Sequence, residues 1–288
     1  MVRFANTLAI ELKEGFWINR LKFVLLCLCF ALLSVQFLNQ YDVTSDIVDG
    51  AIVQLSGQGR FTAGDVLFSY FRGVRVESVS SQGLFAFPIG WFALQMVVAA
   101  IVGYYPVRHD GYDYQLALRS SSRIVIAVCR LIWIVLVVLS VFILGVVMSA
   151  FTAFLAGDLV FGLSPSMLNA MYGASMTIFD PCQSVIFFCV PLAGLLSLSV
   201  AQAFVAGVTE PVIGIIAITL YGVASVYVDS AFLVSGRTML LRCCSSNNLS
   251  PILFGSYLPC VVCFVVFAAM FIILFSRIDF LNVDKESR

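Results

Sequence analysis

Few side chains in this sequence are of a type and spacing that could do chemistry. The single histidine, His109, excludes zinc sites of the His-Glu-x-x-His kind and most nucleophile–histidine–acid triads. No Gly-x-x-x-x-Gly-Lys-Ser/Thr loop occurs, so the chain lacks the usual cradle for ATP phosphates. Of the nine cysteines, Cys27, Cys29, Cys129, Cys189, Cys260 and Cys263 fall in long apolar runs, where Cys acts as a small hydrophobe. The Cys260-x-x-Cys263 pair has no second ligand pair, so no metal site is expected. Cys182, Cys243 and Cys244 should all face outside, where either free thiols or a disulfide suit them. Ionisable groups barely enter the apolar runs: Arg130, Glu210 and Asp229 sit at or near their ends. Ion-coupled carriers and channels place acids at mid-membrane depth, so a self-energised transporter is disfavoured. An intramembrane metalloprotease is disfavoured on the same ground.

The elements that must position these groups follow from composition. The chain has 288 residues, 61% hydrophobic and 11% charged, with a mean hydropathy of +1.03. Soluble domains run nearer about a quarter charged. Sixteen basic and sixteen acidic residues balance, leaving no electrostatic footprint for nucleic acid. The expected class is an all-α polytopic membrane protein forming one transmembrane domain, 1–288. A span needs roughly 20 mostly apolar residues. Gaps between charges place six, at about 23–41, 83–107, 131–157, 181–209, 211–234 and 251–276. The uncharged stretch 159–179 is broken by Gly162 and Pro165 and reads as re-entrant or interfacial turns, with a seventh span left open.

With the N-terminus inside, eleven of the sixteen Lys and Arg face the cytoplasm, and both termini lie there. The first hydrophobic run starts late and no small-residue cleavage site follows it, so no cleavable signal peptide is expected. Residues 4–19 read as an interfacial amphipathic helix with Phe4, Leu8, Leu12 and Phe16 on one stripe. A plain helical extension of the first span is the alternative. Arg123 and Arg130 are expected to snorkel to the inner headgroups.

Two further features are expected. An extracellular segment, about 42–82, carries a short helix over Asp65–Arg72 between Gly64 and Gly73. Its Phe68, Tyr70 and Phe71 are too apolar for a free loop, so it should lie on the outer leaflet or roof an exit as a lid, with Asp65 at its N-cap. A surface helix packed on span ends with no contact to cargo is the alternative. In the fourth span, Ser199, Ala203 and Gly207 fall four apart, a small-residue face suited to close helix packing.

The informative loop is the second cytoplasmic one, Tyr104 to Arg123. Pro106 stops the second span, Asp110-Gly111 turns, and Tyr112 to Leu118 can form two helical turns, with an ordinary basic inner loop as the alternative. The run Gly111-x-x-x-Gln115-Leu-x-Leu-Arg119-Ser-x-Ser-Arg123, with Arg130 beyond, resembles the segment between spans two and three of bacterial ABC transporter permeases of the type-2 exporter class, Gram-positive branch. Asp65 with Gly73 and the Tyr104-Tyr105-Pro106 exit are similar to the same branch. Ser120 or Ser121 stands where that family often has Pro, and Arg130 where Lys is frequent.

The resemblance implies a coupling helix in which Gly111, Tyr112, Gln115, Leu116, Leu118, Arg119, Ser122 and Arg123 dock on a separate ATP-binding subunit. ATP and Mg would sit on that partner and no cofactor on this chain, which would itself be no enzyme. A second permease, the same or homologous, would complete the path, and the N-terminal helix would touch the ATPase. The implied activity is export of an amphiphilic or hydrophobic substrate such as a peptide, lipid or drug across the bacterial plasma membrane. The alternatives are a non-transporting immunity or assembly protein, or a self-contained carrier or channel.

Overall fold

The computed structural model describes residues 2–51, 61–74, 87–103, 123–173, 181–228, 230, 233–243 and 253–277. Among them nearly all backbone is helical, and the one extended pairing is an isolated parallel bridge between Thr62 and Asp158. The helices are α1 (Val2–Ile18), α2 (Arg20–Ala51), α3 (Ala63–Phe71), α4 (Ile89–Val102), α5 (Arg123–Ala156) and α6 (Pro165–Tyr172). There follow α7 (Pro181–Val208), α8 (Pro211–Tyr227), α9 (Val234–Arg237), α10 (Leu240–Cys243) and α11 (Leu258–Arg277), the last entered through a π-helical turn, Leu253–Tyr257.

Four stretches are long and apolar enough to cross a membrane: Arg20–Asp42, Arg123–Ala156, Phe187–Val208 and Gly255–Arg277. Two shorter apolar helices, α4 and α8, accompany them. The bundle wears many of its apolar side chains outside. Leu21, Leu28 and Leu32 of α2, Phe151 and Phe154 of α5, and Val261, Val262 and Val265 of α11 are all exposed. Such a surface suits lipid and is too apolar for water.

Contacts between the helices fix their directions. Lys22 near the start of α2 donates from Nζ to the Ala100 carbonyl near the end of α4, 2.7 Å away. Gln202 in the last third of α7 donates to Ala99 O at 2.8 Å, and Gly214 of α8 lies against Ala206. Phe275 near the end of α11 lies under Arg130 near the start of α5. The four long helices α2, α5, α7 and α11 and the shorter α4 and α8 therefore alternate in direction along the chain. One end of the bundle, the α1 end, gathers the start of α2 and the end of α4. The opposite end, the cap end, gathers the segments 61–74, 157–173 and 233–243.

Several boundaries differ from the sequence reading. Helix α2 runs on to Ala51, into the segment assigned to an extracellular loop, and α5 starts at Arg123 rather than near 131. Between Gly157 and Ser164 the chain is not helical, and the eight-residue α6 that follows, opened by Pro165, is too short to span a bilayer. The π-helical entry and α11 cover the last apolar run.

Candidate functional site

At the α1 end, the first helix is not simply laid on a surface by its apolar stripe. The buried residues on it and just after it are Thr7, Glu11, Gly15 and Asn19, spaced every four residues. Leu12 and Phe16 are half-buried beside them, and Phe16 stacks on Phe23 with ring centroids 5.5 Å apart. Phe4, Trp17 and Ile18 stay exposed. Gly15 permits the approach, because a Cβ there would run into the Trp133 indole of α5. Four residues before it, Glu11 Oε1 lies 3.6 Å from Arg130 Nε, both side chains at most 2% exposed. Arg130 also stacks over the Phe275 ring, 5.3 Å from its centroid.

Arg130 therefore does not snorkel. The cost of desolvating a guanidinium is offset here by a carboxylate and a ring face. Arg123, at the first position of α5, is exposed. The remaining residues assigned to ATPase coupling, Gly111, Tyr112, Gln115, Leu116, Leu118, Arg119 and Ser122, lie outside the described residues. The two points from which their segment leaves the bundle, Gly103 and Arg123, both belong to the α1 end.

At the cap end, α3 is sunk into the bundle, where the sequence reading had it on the outer leaflet or roofing an exit. Asp65, Phe68, Tyr70 and Phe71 are all buried, and of its nine residues only Ser69 is even partly exposed. Phe61, before the helix, packs edge-on against Phe37 and Tyr41 of α2, centroids 5.2 and 4.9 Å away. Deeper in, Tyr70 meets Phe30 at 5.1 Å and shares a hydrogen bond with Ser34, 2.6 Å between oxygens. Its apolar side chains would suit a lipid surface as well as an interior, so the pattern alone could not tell them apart. What draws α3 inward is the loop that follows α5.

That loop supplies partners for the start of α3. Ala63 N–H donates to Val160 O at 3.0 Å and Asp158 N–H to Phe61 O at 2.9 Å. A Cβ at Gly64 would strike the Gly162 carbonyl, so only glycine lets the strands of chain pass this closely. The N-cap is Thr62, not Asp65, which stands at N3 and completes a capping box. Asp65 Oδ2 accepts from Thr62 N–H at 3.0 Å, and Oδ1 accepts from Ser164 N–H at 2.8 Å.

Thr62 Oγ1 lies 2.9 Å from Asp65 Oδ2 and 2.7 Å from Gly162 O, and its single proton can serve only one of them. A protonated Asp65 that donates to Thr62 Oγ1 satisfies both contacts. Burial likewise pushes the Asp65 carboxyl above the usual carboxylate range, against the pull of its hydrogen bonds from Ser164 and Thr62.

The segment 233–243, which runs from the end of the fifth expected span into the gap before the sixth, is also folded inward. Val234, Ser235, Thr238, Met239, Leu240 and Cys243 are buried. Trp91 Nε1 of α4 donates to Thr238 Oγ1 at 2.9 Å, and Gln95 Nε2 donates to Ser235 Oγ at 2.8 Å. Arg242 spends its charge on carbonyls, donating to Ser225 O and Val226 O at 2.7 Å each and to Val74 O at 3.1 Å. It thereby caps the C-terminus of α8. Leu241 N–H donates to Arg72 O at 3.0 Å, so α10 closes on the end of α3. Gly73, at φ +66°, turns the chain there with Met239 against it.

On α7, Ser199 and Ala203 are buried and Gly207 half-buried, with Leu274 of α11 over Gly207. Their neighbours are within the subunit. Cys243 is a free thiol 3.6 Å from Ser256 Oγ, while the side chains of Cys182 and Cys244 lie outside the described residues. Among the described residues no three His, Cys, Asp or Glu side chains gather in a metal-binding cluster. Comparisons with protein-family models, with curated proteins and with solved structures returned no match.

Proposed function

We propose that this chain is the membrane subunit of an ATP-driven exporter of the type-2 ABC permease kind. Six membrane crossings would place both termini and the α1 end in the cytoplasm of a bacterial cell and the cap end outside. Two such subunits would enclose a path for an amphiphilic or hydrophobic substrate, and a soluble partner would bind ATP and Mg. One observation carries the reading. Gly103 and Arg123, the described residues on either side of the run that resembles a coupling helix, lie at the end where α1 is clamped by Glu11 and Arg130. Two elements suited to meet a cytoplasmic ATPase thus share one end, and Lys22 ties α2 to α4 beside them.

The test is co-expression with candidate Walker-motif ATPases, followed by copurification and transport assays on reconstituted complexes. Leu116→Asp should abolish transport and copurification while the protein still inserts. A carboxylate forced unpaired into a subunit interface costs about 2 kcal/mol or more. Unchanged transport in that variant would contradict the assignment of the coupling segment.

A further inference from the structure

Along one stripe of α2, Leu32, Val35, Gln36, Asn39 and Gln40 recur at helical spacing, and the side chains change from aliphatic to amide within about 12 Å of rise. A groove of about 580 Å³ follows this stripe, with Arg72 and Met171 on its other wall. A second chamber of about 280 Å³ shares Gln36, Gln40 and Arg72 and reaches Trp91. Leu32 and Val35 are 62% and 54% exposed, so the groove opens on the outward, lipid-like surface of the bundle.

Arg72 stands where the two spaces join. Its Nη1 donates to Gln40 Oε1 at 3.2 Å, and its guanidinium lies over the Tyr172 ring, 4.6 Å from the centroid. These contacts, with a hydrogen bond to the Tyr172 hydroxyl, hold it in place and leave further N–H donors of its five to spare. Among the described residues no carboxylate pairs with it, because Asp65, the acid on the same helix, is engaged by Thr62 and Ser164. Neither chamber includes an acid among its described lining.

A fixed guanidinium with spare donors selects a phosphate, which it can grip through two parallel hydrogen bonds. The amides of Gln36 and Asn39 add neutral donors and acceptors for a polar headgroup, and Leu32 with Val35 supplies a wall for an acyl chain. We infer that this groove binds an anionic phospholipid, its phosphate on Arg72 and its chain along Leu32 and Val35. Free phosphate would use the cation and leave the wall bare. A zwitterionic lipid would bring a cation of its own to a site that already has one. The site does not depend on the transport reading, since a chain that moves nothing would hold the lipid equally.

The test is native mass spectrometry of the detergent-purified full chain, titrated with phosphatidylglycerol and with phosphatidylcholine of identical acyl chains. Phosphatidylglycerol should bind roughly tenfold more tightly. Arg72→Gln should erase that preference and Arg72→Lys should keep part of it. Unfolding in lipid-free detergent reports whether Arg72→Gln still folds, and Gln36→Leu, at an exposed position, gives a second variant that should weaken headgroup binding. Millimolar inorganic phosphate should not displace the lipid. Equal affinity for the two lipids would overturn the inference. So would full displacement by phosphate, or binding that survives both Arg72→Gln and Gln36→Leu.

Discussion

The two ends of the bundle are closed by different physics. At the α1 end a helix is clamped by one buried ion pair, Glu11 with Arg130, and by a glycine that lets it touch Trp133. At the cap end, α3 is held by main-chain hydrogen bonds to the 157–164 loop, by a capping box and by close-packed aromatic rings. A buried ion pair contributes little net stability yet is costly to break, because removing one partner strands the other. Many small neutral contacts spread the same task and fail gradually. Helix α1 is therefore the one that a single charge change should unseat, and α3 the one whose own contacts resist it.

The largest expected effect follows from that contrast. Arg130→Ala should destabilise the fold by about 3–5 kcal/mol, since Glu11 is left buried without its cation. The double variant Glu11→Leu with Arg130→Met should recover most of the loss in thermal unfolding. A double variant as unstable as Arg130→Ala would mean that the pair does more than neutralise itself.

Next come the two glycines, one at each end. Gly64→Ala should cost about 1–3 kcal/mol or more, because its Cβ meets a backbone carbonyl that cannot rotate away. Gly15→Ala should cost less, because the obstacle is a side chain, the Trp133 indole. The reverse order in unfolding midpoints would undo the distinction drawn between the ends. Ala203→Leu should cost a comparable about 1–3 kcal/mol by overpacking a fully buried site on α7. Unchanged stability there would place that face in lipid.

The smallest effect is in pH. The carboxyl of Asp65 is held above its usual range in the fold, so between that range and the raised value the folded state binds more protons than the unfolded one. Stability should then fall as pH rises through this window, upward from about pH 4. Asp65→Asn should remove the slope. A slope of opposite sign in the native protein, absent from Asp65→Asn, would mean that Asp65 is held as a carboxylate.

Much of the architecture was legible because charge is scarce. Gaps between ionisable residues mark the helical runs around α2, α5, α7 and α11, and Gly64 and Gly73 bracket α3 almost to the residue. Where α3 sits was not legible, since Phe68 and Phe71 carry the same pattern on a lipid surface or in a core. The inward fold of 233–243 was not legible, because Arg237 and Arg242 fall in the gap between the fifth and sixth apolar runs. Arg242 satisfies carbonyls at the end of α8, a partner that no spacing in the sequence reveals. On α1 the apolar stripe was visible, but the stripe it buries most deeply is Thr7, Glu11, Gly15 and Asn19. A small or polar residue every fourth position beside a lone buried arginine was the available signal. The Arg72 groove needed α2, α3 and α6 brought together, which only the tertiary structure does.

The contrast between the ends is tested most directly by cysteine accessibility in membrane vesicles, after the native cysteines are replaced. Single cysteines at Lys13 on α1 and Phe68 on α3 would be treated with a membrane-impermeant maleimide from each side. The cysteine at 13 should react from one side only, and the cysteine at 68 from neither until the protein is unfolded. Rapid labelling at 68 in intact vesicles would contradict the account, because α3 would then lie on the surface and the cap end would be open.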